Sequence, residues 1–195
     1  MARRAFQVPR RPWGAAALPR WGGLAAVLGL AVTLARGAEG AEKCNHTDLV
    51  WDASRTGVGI PATCSDLSLV DESIGDAGAS AIAQHLDGGA GGDGSGGLQL
   101  RTLDLYENHI GDDGAKALAA ALAGPFSTLK ELYLWGNAIG NSGAAALAKA
   151  LESNTKLEAL VLWNNKIGDA GADDLLRALD TNTHITKLYL TGNKV

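Results

Sequence analysis

The two cysteines of the chain, Cys44 and Cys64, could form a disulfide bond. They lie 20 residues apart, and the chain has no others. An even pair is typical of a protein that folds in an oxidising compartment. Cys64 also precedes Leu67 by three residues, a spacing that places it in the core, where a buried free thiol would serve as a small apolar side chain. The sequence leaves both interpretations open and favours the Cys44–Cys64 bond if the protein is exported.

An acceptor motif for N-linked glycosylation, Asn45-His46-Thr47, follows the first cysteine. Residues 1–38 contain six arginines, no acidic residue and an uncharged run of about 15 residues. That run is shorter than the ~20 residues of a membrane-spanning helix. We predict that 1–38 is a signal peptide or a signal anchor, that Asn45 carries a glycan and that the protein enters the secretory pathway or is secreted. An organelle transit peptide is the alternative, as is a cytoplasmic location.

No residue pattern in the chain predicts catalysis. The four histidines fall in different predicted segments and lack the spacing of a metal site: His46, His85, His109 and His184. Residues 92–97 have the glycine spacing of a dinucleotide fingerprint. A helix is predicted before them and a strand after them, which reverses the order that cradles a phosphate. We predict that 87–97 is a flexible loop, and that the protein is not an enzyme and needs no cofactor.

The charge of the chain changes after the leader. Of 17 Lys and Arg residues, six lie in 1–38, which leaves 11 against 21 Asp and Glu and a net charge of −10 for the remainder. Nucleic-acid binding depends on Lys and Arg side chains that meet phosphates. We therefore predict no nucleic-acid partner, and a membrane partner only if the leader is retained as an anchor.

The elements that must position these residues come from a repeated pattern. Four copies of L-x-L-x-x-N recur at intervals of 29, 28 and 28 residues, and they begin at Leu103, Leu132, Leu160 and Leu188. Each copy predicts a short strand with alternate leucines inward, a turn and a helix. A unit of this length cannot bury its own apolar side and must stack on the next unit.

Two kinds of polar residue recur at the turns. We expect the residues at the helix starts to cap the helices that they open: Asp76, Asp112, Asn141 and Asp169. We expect a ladder of asparagines to satisfy backbone groups in the turns, namely Asn108, Asn137, Asn165 and Asn193. Glu72 stands at this position in the first repeat, so that turn must be satisfied in another way.

The repeats divide the remainder of the chain into two parts. Residues 39–63 match no repeat and are predicted to form an N-terminal cap, with an apolar side made of Leu49, Val50, Trp51 and Ile60. Residues 64–195 hold four full repeats and a fifth that stops after its strand. We expect either a truncated sequence or an end that pairs with another copy by self-association.

The repeats, with the segment Ile110-Gly-Asp-Asp-Gly-Ala115-Lys-Ala-Leu-Ala-Ala-Ala-Leu122, resemble the ribonuclease-inhibitor type of leucine-rich repeat. NOD-like receptors and Ran GTPase-activating protein contain the same type. The resemblance covers about 64–195 and implies an α/β fold, a right-handed solenoid with a parallel sheet on its concave side and helices outside. It also implies protein binding on the concave side. This chain lacks the many cysteines of ribonuclease inhibitor, so ribonuclease binding is not implied.

Outward strand positions place aromatic residues on that concave side. Adjacent strands lie ~4.8 Å apart, so Tyr106, Trp135 and Trp163 are predicted to form a row. Such rings offer a large contact area and an N–H or O–H group to a partner. The candidate partner-binding residues are Tyr106, Glu107, Glu131, Tyr133, Trp135, Trp163 and Tyr189. The alternative is that the rings stack on one another and only stiffen the sheet.

Two functional hypotheses remain. The first is a non-catalytic binding module of the secretory pathway or cell exterior, which recognises a protein or peptide on the concave side. The second is an intracellular regulator, such as a GTPase-activating protein of the Ran type, and it requires that the leader does not direct export.

Overall fold

The structure is a computed structural model, and it describes residues 42–52, 57–86, 98–125 and 127–195. Residues 1–38 and 87–97 lie outside the described residues, so the predictions of a signal and of a flexible loop stay predictions. By its internal contacts the chain divides into Met1–Glu39 and Gly40–Val195, and the second unit contains every described residue.

From Cys64 onward, strands and α-helices alternate as the repeats predict. The strands are β1 Glu42–Asn45, β2 Val50–Trp51, β3 Val58–Gly59, β4 Cys64–Ser68, β5 Thr102–Asp104, β6 Glu131–Tyr133, β7 Ala159–Val161 and β8 Lys187–Tyr189. The helices are α1 Gly75–Leu86, α2 Asp112–Ala123, α3 Asn141–Ser153 and α4 Asp169–Thr181. Six strands form one parallel sheet in the order β1-β4-β5-β6-β7-β8, and β2 pairs with β3 in an antiparallel hairpin.

The leucines of the repeated pattern lie in register across the sheet. Leu67, Leu103, Leu132, Leu160 and Leu188 are direct partners on successive strands. All five are buried, and they share one core with the apolar residues of the four helices. The predicted α/β solenoid, with a parallel sheet backed by helices, is confirmed.

The N-terminal cap adds an outer strand to the sheet and a hairpin beside it. Strand β1 pairs in parallel with β4, and Leu49 is buried while Trp51 and Ile60 pack partly against the core. The prediction that Val50 joins the apolar side was wrong, because Val50 is 75% exposed. Successive side chains of a strand point to opposite faces, and Trp51 takes the inward one.

The disulfide joins the cap to the first repeat. Cys44 in β1 and Cys64 in β4 are bonded, with their Cα atoms 5.8 Å apart, and both residues are buried. The structure therefore contains the bond rather than a free core thiol. Its sequence separation is 20 residues, and closing a loop of that size stabilises a fold by roughly 3 kcal/mol in the chain-entropy description.

The asparagines serve the turn of the preceding repeat. Asn137 Oδ1 accepts from the backbone N–H groups of Asn108 and Ile110, at 3.0 and 2.9 Å, and its Nδ2 donates to the Leu105 carbonyl. Asn108 likewise accepts from the N–H groups of Glu72 and Ile74. The turn at Glu72 is thus satisfied by Asn108 of the next repeat. This is the other source of hydrogen bonds that the sequence required for that turn.

The prediction that the polar residues at the helix starts cap their own helices was wrong. Asp112 is the first residue of α2, yet its Oδ1 accepts from the N–H groups of Gly140 and Gly143, which open α3. The N-cap residues of α2, α3 and α4 are glycines, which have no side chain that could cap a helix. Each capping oxygen therefore reaches across the stack to the next repeat, as that of Asp76 also does toward Gly111 and Gly114.

Replacing Asp112 by Ala should lower the free energy of unfolding by about 1 to 2 kcal/mol, because two N–H groups of α3 lose their acceptor. Asp112→Asn should retain most of the stability, since Asn141 performs the same role for Gly168 and Gly171 through its Oδ1. Urea denaturation followed by circular dichroism measures both.

Asp113 provides the matched control. It is the next residue of α2, it is exposed, and its carboxylate pairs with Lys116 on the surface. Because an exposed pair contributes little, Asp113→Ala should change the free energy of unfolding by about 0.5 kcal/mol or less. Equal losses for the two variants would contradict capping across repeats.

Candidate functional site

The candidate site is the face of the six-stranded sheet opposite the helices, which we call the wall. It consists of the residues that alternate with the buried leucines of β5 to β8. Those on the three central strands are Thr102, Asp104, Tyr106, Glu131, Tyr133, Trp135, Ala159, Val161 and Trp163. Strand β8 adds Lys187, Tyr189 and Thr191.

Four aromatic rings form a continuous row along the wall. Tyr106 stacks on Trp135, with ring centroids 4.0 Å apart and an angle of 8° between the planes. Trp135 meets Trp163 edge to face at 6.2 Å, and Trp163 meets Tyr189 edge to face at 5.5 Å. The predicted row is therefore present, and the rings also pack on one another as the alternative prediction states. Mutual packing fixes the rings before any partner arrives.

The indole nitrogens do not offer hydrogen bonds to a partner, contrary to the chemistry expected from the sequence. Nε1 of Trp135 and Nε1 of Trp163 are both buried, and neither has a hydrogen-bond partner within the described part of the chain. The wall consequently presents ring surface in place of indole donors.

Tyr133 and Glu131 form a joined pair on β6. The Tyr133 hydroxyl donates to Glu131 Oε2 at 2.7 Å. Burial raises the pKa of Tyr133 above its ordinary value, and the bond to Glu131 and the charges of Glu131 and Asp104 add to the effect. Tyr133 is therefore neutral at physiological pH, and its hydroxyl proton lies in the hydrogen bond to Glu131.

Asp104 also lies on the wall, although it was not among the candidate residues predicted from the sequence. It lies directly beside Tyr133 in the register of β5 and β6, and its Oδ1 accepts from the Tyr106 N–H at 3.2 Å. Burial raises the pKa of Asp104 despite this bond. Its outward position was readable from the sequence, but its depth among neighbouring rings was not.

Glu107 lies at the margin of the wall. It is exposed, its backbone φ is +53°, and it follows Tyr106 in the turn after β5. The structure therefore brings Tyr106, Glu131, Tyr133, Trp135, Trp163 and Tyr189 together on one face and leaves Glu107 at its edge.

The predicted glycosylation residue lies at the end of the outer strand β1. Asn45 is exposed, and its Oδ1 accepts from the backbone N–H of Thr47 at 2.9 Å and from the Thr47 hydroxyl at 2.6 Å. The side chain is therefore reachable from solvent, and its occupancy stays a prediction.

The described residues contain neither a cluster of metal-ligating side chains nor a membrane-spanning helix. Across 42–52, 57–86, 98–125 and 127–195, no three His, Cys, Asp or Glu side chains lie close enough to hold a metal ion. None of the helices that the structure describes has the length and apolar character needed to span a bilayer.

Comparison with known proteins concerns the repeats. The family model described as Leucine Rich repeat matches residues 100–119, 127–148, 153–176 and 181–195. No curated protein matches the chain. The solved structures that match this chain include "Leiomodin-1 Actin-Binding Site 2 (ABS2)", with 20% sequence identity and a TM-score of 0.48 over 57% of this chain and 61% of that one. The chain thus spans less than two thirds of that structure.

The ribonuclease-inhibitor subtype stays a prediction, since neither comparison specifies it. The repeat match and the register of the leucines agree on the same residues. The residues that the family model matches are therefore similar to leucine-rich repeats, and they fold as part of an α/β solenoid.

Proposed function

We propose that the protein is a non-catalytic binding module that recognises a protein or peptide on the wall. The observation that carries the proposal is the row of four partly exposed rings, Tyr106, Trp135, Trp163 and Tyr189, on one open sheet face. Trp and Tyr are enriched among the residues that dominate binding energy. Repeat solenoids offer extended surfaces of this kind rather than one closed cleft.

The packing of the row supports this proposal. A ring held between two neighbours has already lost its rotamer freedom, so less entropy is lost when a partner binds. Carboxylates adjoin the row. Asp104 lies on β5, Glu131 lies on β6, and Glu107 lies at the edge of the wall. Apolar surface bordered by polar groups is the usual anatomy of a protein interface.

The test of the wall is selection from a random peptide display library against the folded chain. Binding of the recovered peptides should fall at least tenfold in a Trp135→Leu/Trp163→Leu double variant, because leucine retains apolar contact with the sheet but removes the rings. Loss of the ring contacts should also lower stability by about 1 to 3 kcal/mol, so circular dichroism must show both proteins folded.

The matched control changes two exposed helical residues, Leu176→Ala and Glu152→Gln, and should leave peptide binding unchanged. If the recovered peptides bind the double tryptophan variant as well as the parent, the wall is not the binding site.

We also propose that the module works in the secretory pathway or outside the cell. The basic, acid-free leader at 1–38, the Cys44–Cys64 bond and the exposed Asn45 support this location. Disulfides persist in oxidising compartments. The intracellular alternative, a regulator of the Ran GTPase-activating type, rests on the family resemblance.

Expression of the full chain in glycosylating cells tests the compartment. We expect secretion, a new N-terminus near residue 38 and a glycan on Asn45 that Asn45→Gln removes. Intact Met1 on a cytosolic, unglycosylated protein would favour the intracellular alternative. Self-association at β8 stays a prediction, which sedimentation velocity at several concentrations would test.

A further inference from the structure

The polar groups of the wall fall into used donors and available acceptors. The Tyr133 hydroxyl is bonded to Glu131, and the indole nitrogens of Trp135 and Trp163 are buried. The Thr102 side chain bonds to Asp66, whose pKa it lowers. The wall residues of β5 and β6 therefore offer a partner ring surface and carboxylate oxygen atoms among their available groups.

Two carboxylates remain uncompensated at the centre of this surface. Among the described residues, no ion pair within 4.0 Å includes Asp104 or Glu131. Lys130, which adjoins Glu131 in sequence, is already paired with Glu158 at 2.8 Å. Lys187 lies on β8, two strands beyond β6. Glu131 accepts one hydrogen bond, from Tyr133, and an ionised carboxylate has room for several more.

These carboxylates converge on one place. Asp104 is the direct partner of Tyr133 across β5 and β6, and Tyr133 donates to Glu131 at 2.7 Å. Tyr106 and Trp135, two residues further along the same two strands, form the stacked pair at 4.0 Å. We call these five residues the acidic-aromatic patch. It combines two anionic groups with an aromatic border on adjacent strands.

We propose that the acidic-aromatic patch receives an arginine side chain of the partner protein. A guanidinium group is planar, carries five N–H donors, pairs with carboxylates and packs on aromatic rings. It supplies a positive charge, which the patch lacks, and several N–H donors for the carboxylate oxygens. Burial without a nearby cation also raises the pKa of Asp104, so a bound guanidinium would stabilise the ionised form. This inference rests on the proposed function, because it assigns the partner's chemistry at the same wall.

The test is an NMR titration with N-acetyl-arginine methylamide as the probe. The protein is expressed as the full chain and purified in the form that remains after any processing by the cell. We expect saturable shifts of the Asp104, Glu131 and Tyr133 amides and of the Trp135 indole signal. The matched citrulline compound has nearly the same shape without the charge, and should bind at least fivefold more weakly. Equal binding of the two compounds would overturn the proposal.

Paired variants separate the patch from the general acidity of the chain. Asp104→Asn and Glu131→Gln should each weaken the arginine probe at least fivefold. Asp113→Asn removes the same charge from the exposed surface of α2 and should leave its binding unchanged. If Asp113→Asn weakens the probe as much as Asp104→Asn does, the attraction is non-specific and the proposal fails.

The library peptides distinguish this inference from the proposed function. One outcome is a set of peptides that lack arginine, bind the double tryptophan variant more weakly and bind Asp104→Asn as well as the parent. That outcome would support the binding module and refute the arginine assignment. Peptides that bind the double tryptophan variant as well as the parent would refute the wall as the recognition surface. The arginine titration would still test independently whether the acidic-aromatic patch binds arginine.

Discussion

Replacing Leu160 by Ala should lower the free energy of unfolding by about 3 to 5 kcal/mol. Leu160 is fully buried within the leucine register, between Leu132 and Leu188. The substitution removes transfer free energy and leaves a cavity that the neighbouring strands cannot fill. In a stack of repeats, each unit is stabilised by its two neighbours, so damage to a central unit weakens two interfaces. Urea denaturation followed by circular dichroism measures the loss.

Leu176→Ala is the control for this prediction. Leu176 lies in α4 of the same repeat, but it is 48% exposed, so the substitution should cost about 1 kcal/mol or less. A loss at Leu176 equal to that at Leu160 would contradict the inward register on which the fold depends.

Replacing Asn165 by Ala should lower the free energy of unfolding by about 3 kcal/mol or more. Asn165 Oδ1 accepts from the Ile139 N–H at 3.0 Å, and Nδ2 donates to the carbonyls of Leu134 and Leu162 at 2.8 and 3.2 Å. Alanine leaves these backbone groups buried without that partner, and each such group costs roughly 1 to 3 kcal/mol. Chemical denaturation of the purified variant measures the effect.

The neighbouring Asn164 offers a control one residue away. It is exposed, and its backbone φ is +48°, a conformation that glycine adopts without strain. Asn164→Gly should therefore change the free energy of unfolding by about 0.5 kcal/mol or less. Similar losses for the adjacent asparagines would show that the ladder does not carry the stability assigned to it.

The ladder and the helix caps make the repeats depend on one another through polar groups as well as through the core. Asn137 completes the turn around Ile110, and Asp112 completes the start of α3. Each bond joins residues close to one repeat length apart. A single repeat would therefore lack acceptors for its own backbone, and we infer that the repeats unfold cooperatively.

The aromatic row was predictable in its position but not in the orientation of its rings. Strand spacing alone placed Tyr106, Trp135 and Trp163 side by side, and the structure has them in contact. The tilt of each ring was not predictable, because it depends on how neighbouring side chains share space. The indole nitrogens are buried in the resulting arrangement, which changes what the wall offers a partner.

By itself the sequence determined the period of the repeats, the leucines that face inward, the order of strands and helices, and the residues that line the wall. These follow from local alternation and from a unit too small to bury its apolar side alone. Only the tertiary structure decided which helix Asp112 caps, that Val50 faces solvent, and how deeply Asp104 lies beside Tyr133. Each of those outcomes depends on a contact between segments distant in the chain, and such a contact exists only once the strands and helices have packed together.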